Sequence, residues 1–177
     1  MAQYARPDAD DSDGDWQNQD DGSSLYESID ESSADDNTTY IYCADSESTL
    51  VCRVGLSNVS SPASGNAYIK YRALSSQNGM DTLSLKVELM QDSTVKFTST
   101  TNSVATSYTN YSYTISDHSS ITDWDDLFLR LTLFNAQGMG DTLRITQAYV
   151  ETPDASGGGG STPIAAISMN TYRQMRN

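Results

Sequence analysis

One histidine, two cysteines, four prolines and only ten lysines and arginines are found among 177 residues, and no long apolar run occurs. Each shortage excludes something. No stretch approaches the roughly 20 consecutive apolar residues that a membrane helix needs, so no membrane partner is expected. Residues 1–6 lack the apolar core of a signal peptide, which predicts synthesis in a cytoplasm. With 24 acids against ten bases, the net charge of −14 argues against nucleic-acid binding, which depends on neutralising phosphates with Lys and Arg. The lone histidine, His118, sits between Asp117 and Ser119. Adjacent residues of an extended chain point to opposite sides, so this trio is not a catalytic triad, and a loop histidine with a local hydrogen bond is the simpler reading. No Gly-x-Ser-x-Gly elbow or phosphate loop is present. The sequence therefore predicts no enzyme, no cofactor and no metal centre.

Cys43 and Cys52 are nine residues apart. Two free thiols, or a bond across a hairpin formed after release from a reducing compartment, both remain open.

Ser, Thr, Asn, Tyr and Gly are abundant, and eleven tyrosines supply core material, a bias towards strands and turns. Period-2 alternation runs through residues 38–42, 49–56, 67–74, 82–90, 94–98, 108–115, 127–134 and 141–151. In the fourth of these, Leu83, Leu85, Val87 and Leu89 point one way and Ser84, Lys86 and Glu88 the other. In the last, Leu143, Ile145, Gln147 and Tyr149 share a face opposite Thr142, Arg144 and Thr146. About eight such strands predict an all-β fold, an antiparallel β-sandwich of jelly-roll type with an extended C-terminal tail. A single helical turn capped by Thr122 or Asp123 is expected over residues 121–126.

Four regions follow. Residues 1–36 are acidic and turn-rich, with Trp16 and Leu25-Tyr26 as apolar anchors that suggest packing on the main body. Residues 37–152 form the sandwich, and 153–161 a Gly-rich flexible linker. Residues 162–177 contain no acid and carry Pro163, Ile164, Ile167, Met169, Tyr172, Arg173, Met175 and Arg176, the residue types enriched at interfaces. They are expected to bind a partner. The acid excess sits in residues 1–50, with eleven Asp and three Glu against Arg6 alone. Asp8, Asp10, Asp11, Asp13 and Asp15 around Gly14 approach a calcium loop, but Ala9 stands where the first ligand belongs. Trp124, flanked by Asp123, Asp125 and Asp126, reads as a plug for one end of the sandwich; as an alternative, an aromatic ring among acids can bind sugar.

Several segments resemble a sandwich module of tailed-bacteriophage virion proteins: Arg6-Pro7-Asp8, Ser12-Asp13-Gly14-Asp15-Trp16, residues 25–31, Val54-Gly55-Leu56, Tyr71-Arg72 and residues 121–131. The likeness spans about residues 6–152 and carries no functional residues. It implies a capsid-decorating, head-fibre or tail-associated component of a virion. The partner is then expected to be the major capsid protein or another virion protein, with homo-oligomers such as trimers. The alternative is a carbohydrate- or receptor-binding module of a tail or fibre, with Trp124 and the tyrosines as platforms for glycan.

Overall fold

The computed structural model describes residues 1–14, 16–19, 24–44, 49–62, 64–76, 83–99, 102–134 and 142–155. Among the described residues, twelve β-strands arise in chain order: β1 (Gln3–Ala5), β2 (Pro7–Ser12), β3 (Gln17–Asn18), β4 (Ile41–Ala44), β5 (Thr49–Leu56), β6 (Ala67–Ser76), β7 (Ser84–Gln91), β8 (Thr94–Thr98), β9 (Asn102–Ser103), β10 (Thr109–Ile115), β11 (Leu127–Phe134) and β12 (Thr142–Thr152). They build two six-stranded sheets, antiparallel throughout. Sheet A runs β10-β6-β12-β4-β3, with β1 also on β12; sheet B runs β2-β5-β11-β7-β8, with β9 also on β7. The fold is an antiparallel β-sandwich of jelly-roll type, as the alternation predicts.

The core comes from the alternation itself. Leu127, Leu129, Leu131 and Leu133 of β11 turn inward, with Leu85, Val87 and Leu89 of β7 beside them and Leu50, Cys52 and Val54 of β5 on the other flank. From sheet A come Ile69, Tyr71 and Ala73 of β6 and Ile145, Ala148 and Val150 of β12. Each fully buried Leu, Ile or Val contributes about 1.5–3 kcal/mol relative to exposure, so the paired faces hold the two sheets together. Tyr111 and Tyr113 of β10 stack on Tyr71, with ring centroids at 4.9 and 6.0 Å. Trp124 is 5% exposed and packs edge-on against His118, closing one end of the core.

The acidic N-terminal region is woven into both sheets. β1 pairs with the end of β12, Gln3 opposite Thr152, and the chain then crosses at Arg6 so that β2 pairs with β5. β12 thus carries β4 along Thr142 to Ile145 and β1 along Val150 to Thr152 of the same edge. Residues between 24 and 40, including a 3-10 turn at Tyr26–Ser28, fill the gap. The Ala148 amide donates to the Ile29 carbonyl at 3.0 Å, and Thr146 Oγ1 donates to the Thr39 carbonyl at 3.0 Å. Where the first turn leaves β2, Gly14 has φ +55°, and a Cβ there would lie 1.8 Å from the Val51 carbonyl oxygen. No other residue type fits that crossing.

Two expectations need correction, and of the two cysteine readings the hairpin bond falls. Residues 121–126 form bends rather than a helical turn: Asp123 Oδ1 accepts from the Asp125 amide at 2.9 Å, and this local bond replaces a helical one. Cys43 and Cys52 do not face each other across a hairpin, because β4 and β5 lie in different sheets. Both thiols are free and buried, and burial pushes the Cys43 pKa up to about 12. Finally, β12 does not alternate evenly. A bulge between Ile145 and Gln147 buries Thr146 and turns Gln147 and Tyr149 to the outside with Arg144.

Candidate functional site

That bulge shapes the outer face of sheet A. Strand register sets its side chains in four rows. Tyr4, Glu151, Tyr68 and Thr114 lie side by side across β1, β12, β6 and β10. Next come Tyr149, Lys70 and Ser112, and then Gln147, Arg72 and Asn110. Tyr42, Arg144 and Leu74 complete the face. Over the middle rows a trough of about 340 Å³ opens, lined by Lys70, Tyr71, Asn110, Tyr111, Ser112, Gln147 and Tyr149.

Cations and tyrosines alternate across these rows. Arg6 lies over both Tyr4 and Tyr149, with its guanidinium carbon 5.6 and 5.0 Å from the ring centroids. Lys70 approaches Tyr68 at 5.5 Å, Arg72 approaches Tyr108 at 5.6 Å and Arg144 covers Tyr40 at 4.7 Å. Such contacts hold flat rings and charged groups in fixed relation. Lys70 donates to Glu151 at 2.5 Å, and that bond raises its ammonium pKa. Arg72 clamps Asp36 through two bonds of 2.5 and 2.8 Å, and the clamp lowers the Asp36 pKa. Arg72 also donates to Asn110 Oδ1 at 3.2 Å. Gln147 Nε2 donates to the Glu31 carbonyl at 2.6 Å. Among the described residues, Arg6 and Arg144 make no ion pair. Arg6 Nη1 donates to the Asp30 and Glu31 carbonyls, and the Arg144 guanidinium lies over the Tyr40 ring.

The face is half-exposed and mixes flat amphipathic rings with hydrogen-bonding groups fixed by their neighbours. Such a surface can hold a ligand that offers apolar C–H patches and polar edges, without any covalent step. Elsewhere, Asp10, Asp13, Trp16, Gln17, Gln19 and Tyr42 border a cleft of about 640 Å³. Asp10 is not a free ligand there, since its carboxylate accepts from the Leu25 and Tyr26 amides at 2.9 and 2.8 Å. With β2 extended from Pro7 to Ser12, the Asp8–Ser12 run is strand rather than calcium loop.

The segment proposed from sequence to bind a partner, containing Pro163, Ile164, Ile167, Met169, Tyr172, Arg173, Met175 and Arg176, lies outside the described residues. Tyr149, Gln147 and Arg144 escaped sequence reading as one surface because the bulge puts three residues of two predicted faces on one side. A break in the buried pattern at Thr146, a polar residue between Ile145 and Ala148, is the signal that marks it.

No family model matches the chain, and no curated protein matches it. Among solved structures, a CBM4 carbohydrate-binding module has a TM-score of 0.48 at 10% identity, over 78% of this chain and 94% of that one. A family 29 carbohydrate-binding module has a TM-score of 0.42 at 16% identity, over 87% and 91%. The enzymatically active domain of tailspike protein 4 of bacteriophage CBA120 has a TM-score of 0.45 at 7% identity, over 85% of this chain and 19% of that one. These are likenesses of sandwich architecture, and no residue here takes a role from them.

Proposed function

We propose that this protein is a non-catalytic carbohydrate-binding module whose ligand lies across the outer face of sheet A. The observation that carries this reading is the bulge at Thr146. It sets Tyr149 and Gln147 beside Lys70, Ser112, Arg72 and Asn110, and so makes a trough walled by the Tyr149 ring and polar side chains on a face that an even strand would have divided. A sugar ring has a C–H face for the tyrosines and hydroxyls for the amide, hydroxyl and guanidinium groups around them. Strands hold these groups, so little ordering is left to be done on binding. Trp124 borders a separate cleft of about 330 Å³ with Asp123 and Asp125, but at 5% exposure its ring has too little free surface to stack on a sugar.

The test is a glycan array probed with the full chain and with Tyr149→Ala. Retention of a defined set of glycans, weakened about tenfold or more in the variant, is the expected result, in line with about 1–3 kcal/mol for a stacked ring. Absence of any bound glycan overturns the reading. The weight would then shift to attachment to a virion protein through residues 162–177, checked by binding of the full chain and of a chain ending at Asp154 to particles that lack this protein.

A further inference from the structure

The charge of sheet A runs against that of the whole chain. Its six strands carry Lys70, Arg72 and Arg144 and a single acid, Glu151, in a protein with 24 acids and ten bases. Arg6, on the crossover from β1, adds a fourth cation over Tyr149. Asp36 and Glu151 neutralise Arg72 and Lys70, which leaves the guanidiniums of Arg6 and Arg144 without a carboxylate among the described residues. They stand at opposite ends of the same run of β12, one beside Tyr149 and the other at Arg144 itself.

A cation that is kept unpaired on a surface so rich in acids is poised for an anion from outside. Arg144 is further suited to this because Tyr40 backs one side of its guanidinium at 4.7 Å and fixes its plane. A guanidinium so held presents parallel donors to a carboxylate or a sulfate, the pairing with the strongest hydrogen bonds.

Resting on the glycan reading above, we infer that the ligand is an acidic glycan, with uronate or sulfate groups that meet Arg144 at one end of the trough and Arg6 at the other. The overall charge of −14 does not prevent this. The acids of β2, Asp8, Asp10 and Asp11, lie on the opposite sheet. Packed sheets are about 10 Å apart, and at physiological ionic strength charges are screened beyond about 8 Å. The ligand therefore meets the local field of the face, where Asp36 is engaged by Arg72 and Glu31 and Asp35 by Thr39. Nucleic acid offers anions as well, but needs many phosphates neutralised together, and two unpaired guanidiniums supply few.

The test is affinity electrophoresis of the full chain in gels containing polygalacturonate, alginate, hyaluronan or chondroitin sulfate. The same polymers after carboxyl reduction or desulfation, neutral xylan and galactan, and oligothymidylate serve as the other arms. Retardation by at least one acidic polymer is expected, falling about tenfold when its acid groups are removed, since a charge-assisted hydrogen bond contributes about 1.5–3 kcal/mol. The retained arm, uronate or sulfate, names the anion. Arg144→Gln lowers the ratio of acidic to neutral binding, whereas Lys96→Gln, the same charge change on sheet B, does not. Retardation of the wild-type chain also weakens as salt rises, a readout independent of any variant. Equal or stronger retention by neutral polymers overturns the inference and leaves the glycan reading standing. Equal retention by oligothymidylate overturns the inference too. Retention by none of the polymers removes both.

Discussion

The outer faces of the two sheets use the same ingredients, aromatic rings and basic side chains, to opposite ends. On sheet B, Arg53 lies over Phe128 at 4.3 Å and is clamped by Asp11 at 2.5 and 2.9 Å. Lys86 and Arg130 converge on Glu88 at 3.2 and 2.7 Å, and Glu88 is 4% exposed. These groups satisfy one another. On sheet A, Tyr149 flanks a trough, and among the described residues Arg6 and Arg144 have no carboxylate. The contrast teaches that aromatic–cation pairs alone do not mark a binding surface. What matters is whether the acids beside them have already taken the charges.

Substitutions sharpen that contrast, and the largest effect is expected on the sheet B side. Gly14→Ala drives a Cβ into the Val51 carbonyl at a positive φ, so a loss of more than about 2 kcal/mol in urea unfolding is expected. A variant as stable as the parent would mean that this crossing is not as tight as described. Next comes a matched pair. Phe128→Ala should cost stability, about 1–3 kcal/mol, and leave glycan affinity unchanged, while Tyr149→Ala should do the reverse. If both variants lost affinity equally, the two faces would not differ in function.

Two glutamates give effects of opposite sign. Burial works to raise the Glu88 pKa, but the bonds from Arg130 and Lys86 outweigh it and hold the value below normal. Its contribution is therefore complete above the ordinary glutamate value of about 4.3 and is lost as pH falls through the lowered folded value. Glu88→Gln should destabilise at pH 7 by about 1–3 kcal/mol, the cost of leaving partly buried cations without their anion. For Glu31, at the sheet A edge, burial raises the pKa despite the bond from Thr39. Its contribution is complete below about pH 4.3 and disappears as pH rises through the raised value. Glu31→Gln should thus raise the melting temperature slightly at pH 7 and not at pH 3.5. Melting curves at the two pH values check both signs, and parallel behaviour of the two variants would refute the assignment.

Much of the sandwich is legible in the sequence because alternation is a direct consequence of a strand with one face buried. Residues 49–56, 94–98 and 127–134 coincide with β5, β8 and β11, where uninterrupted alternation meets clear turn signals. The short strands β1, β2, β3 and β9 escape, since two to six residues, some rich in Asp, give no period to read. Their pairing is decided by edges that other strands leave open. The face on sheet A escapes for another reason: one extra residue at the bulge inverts the alternation of everything after it. From sequence, Tyr149 shares a side with Leu143; in the fold it stands with Arg144.

The antiparallel pairing of Gln3 with Thr152 also has a mechanical consequence. Met1 donates to the Asp154 carboxylate, so the chain on either side of the β1–β12 pair emerges at one corner. A load pulling Met1 and Asp154 apart would reach the bonds of β1 one at a time, as in opening a zip, rather than shearing them together. Under tension the sandwich should yield first at β1, and the crossover at Arg6, with its grip on the Asp30 and Glu31 carbonyls, would be the point where peeling pauses.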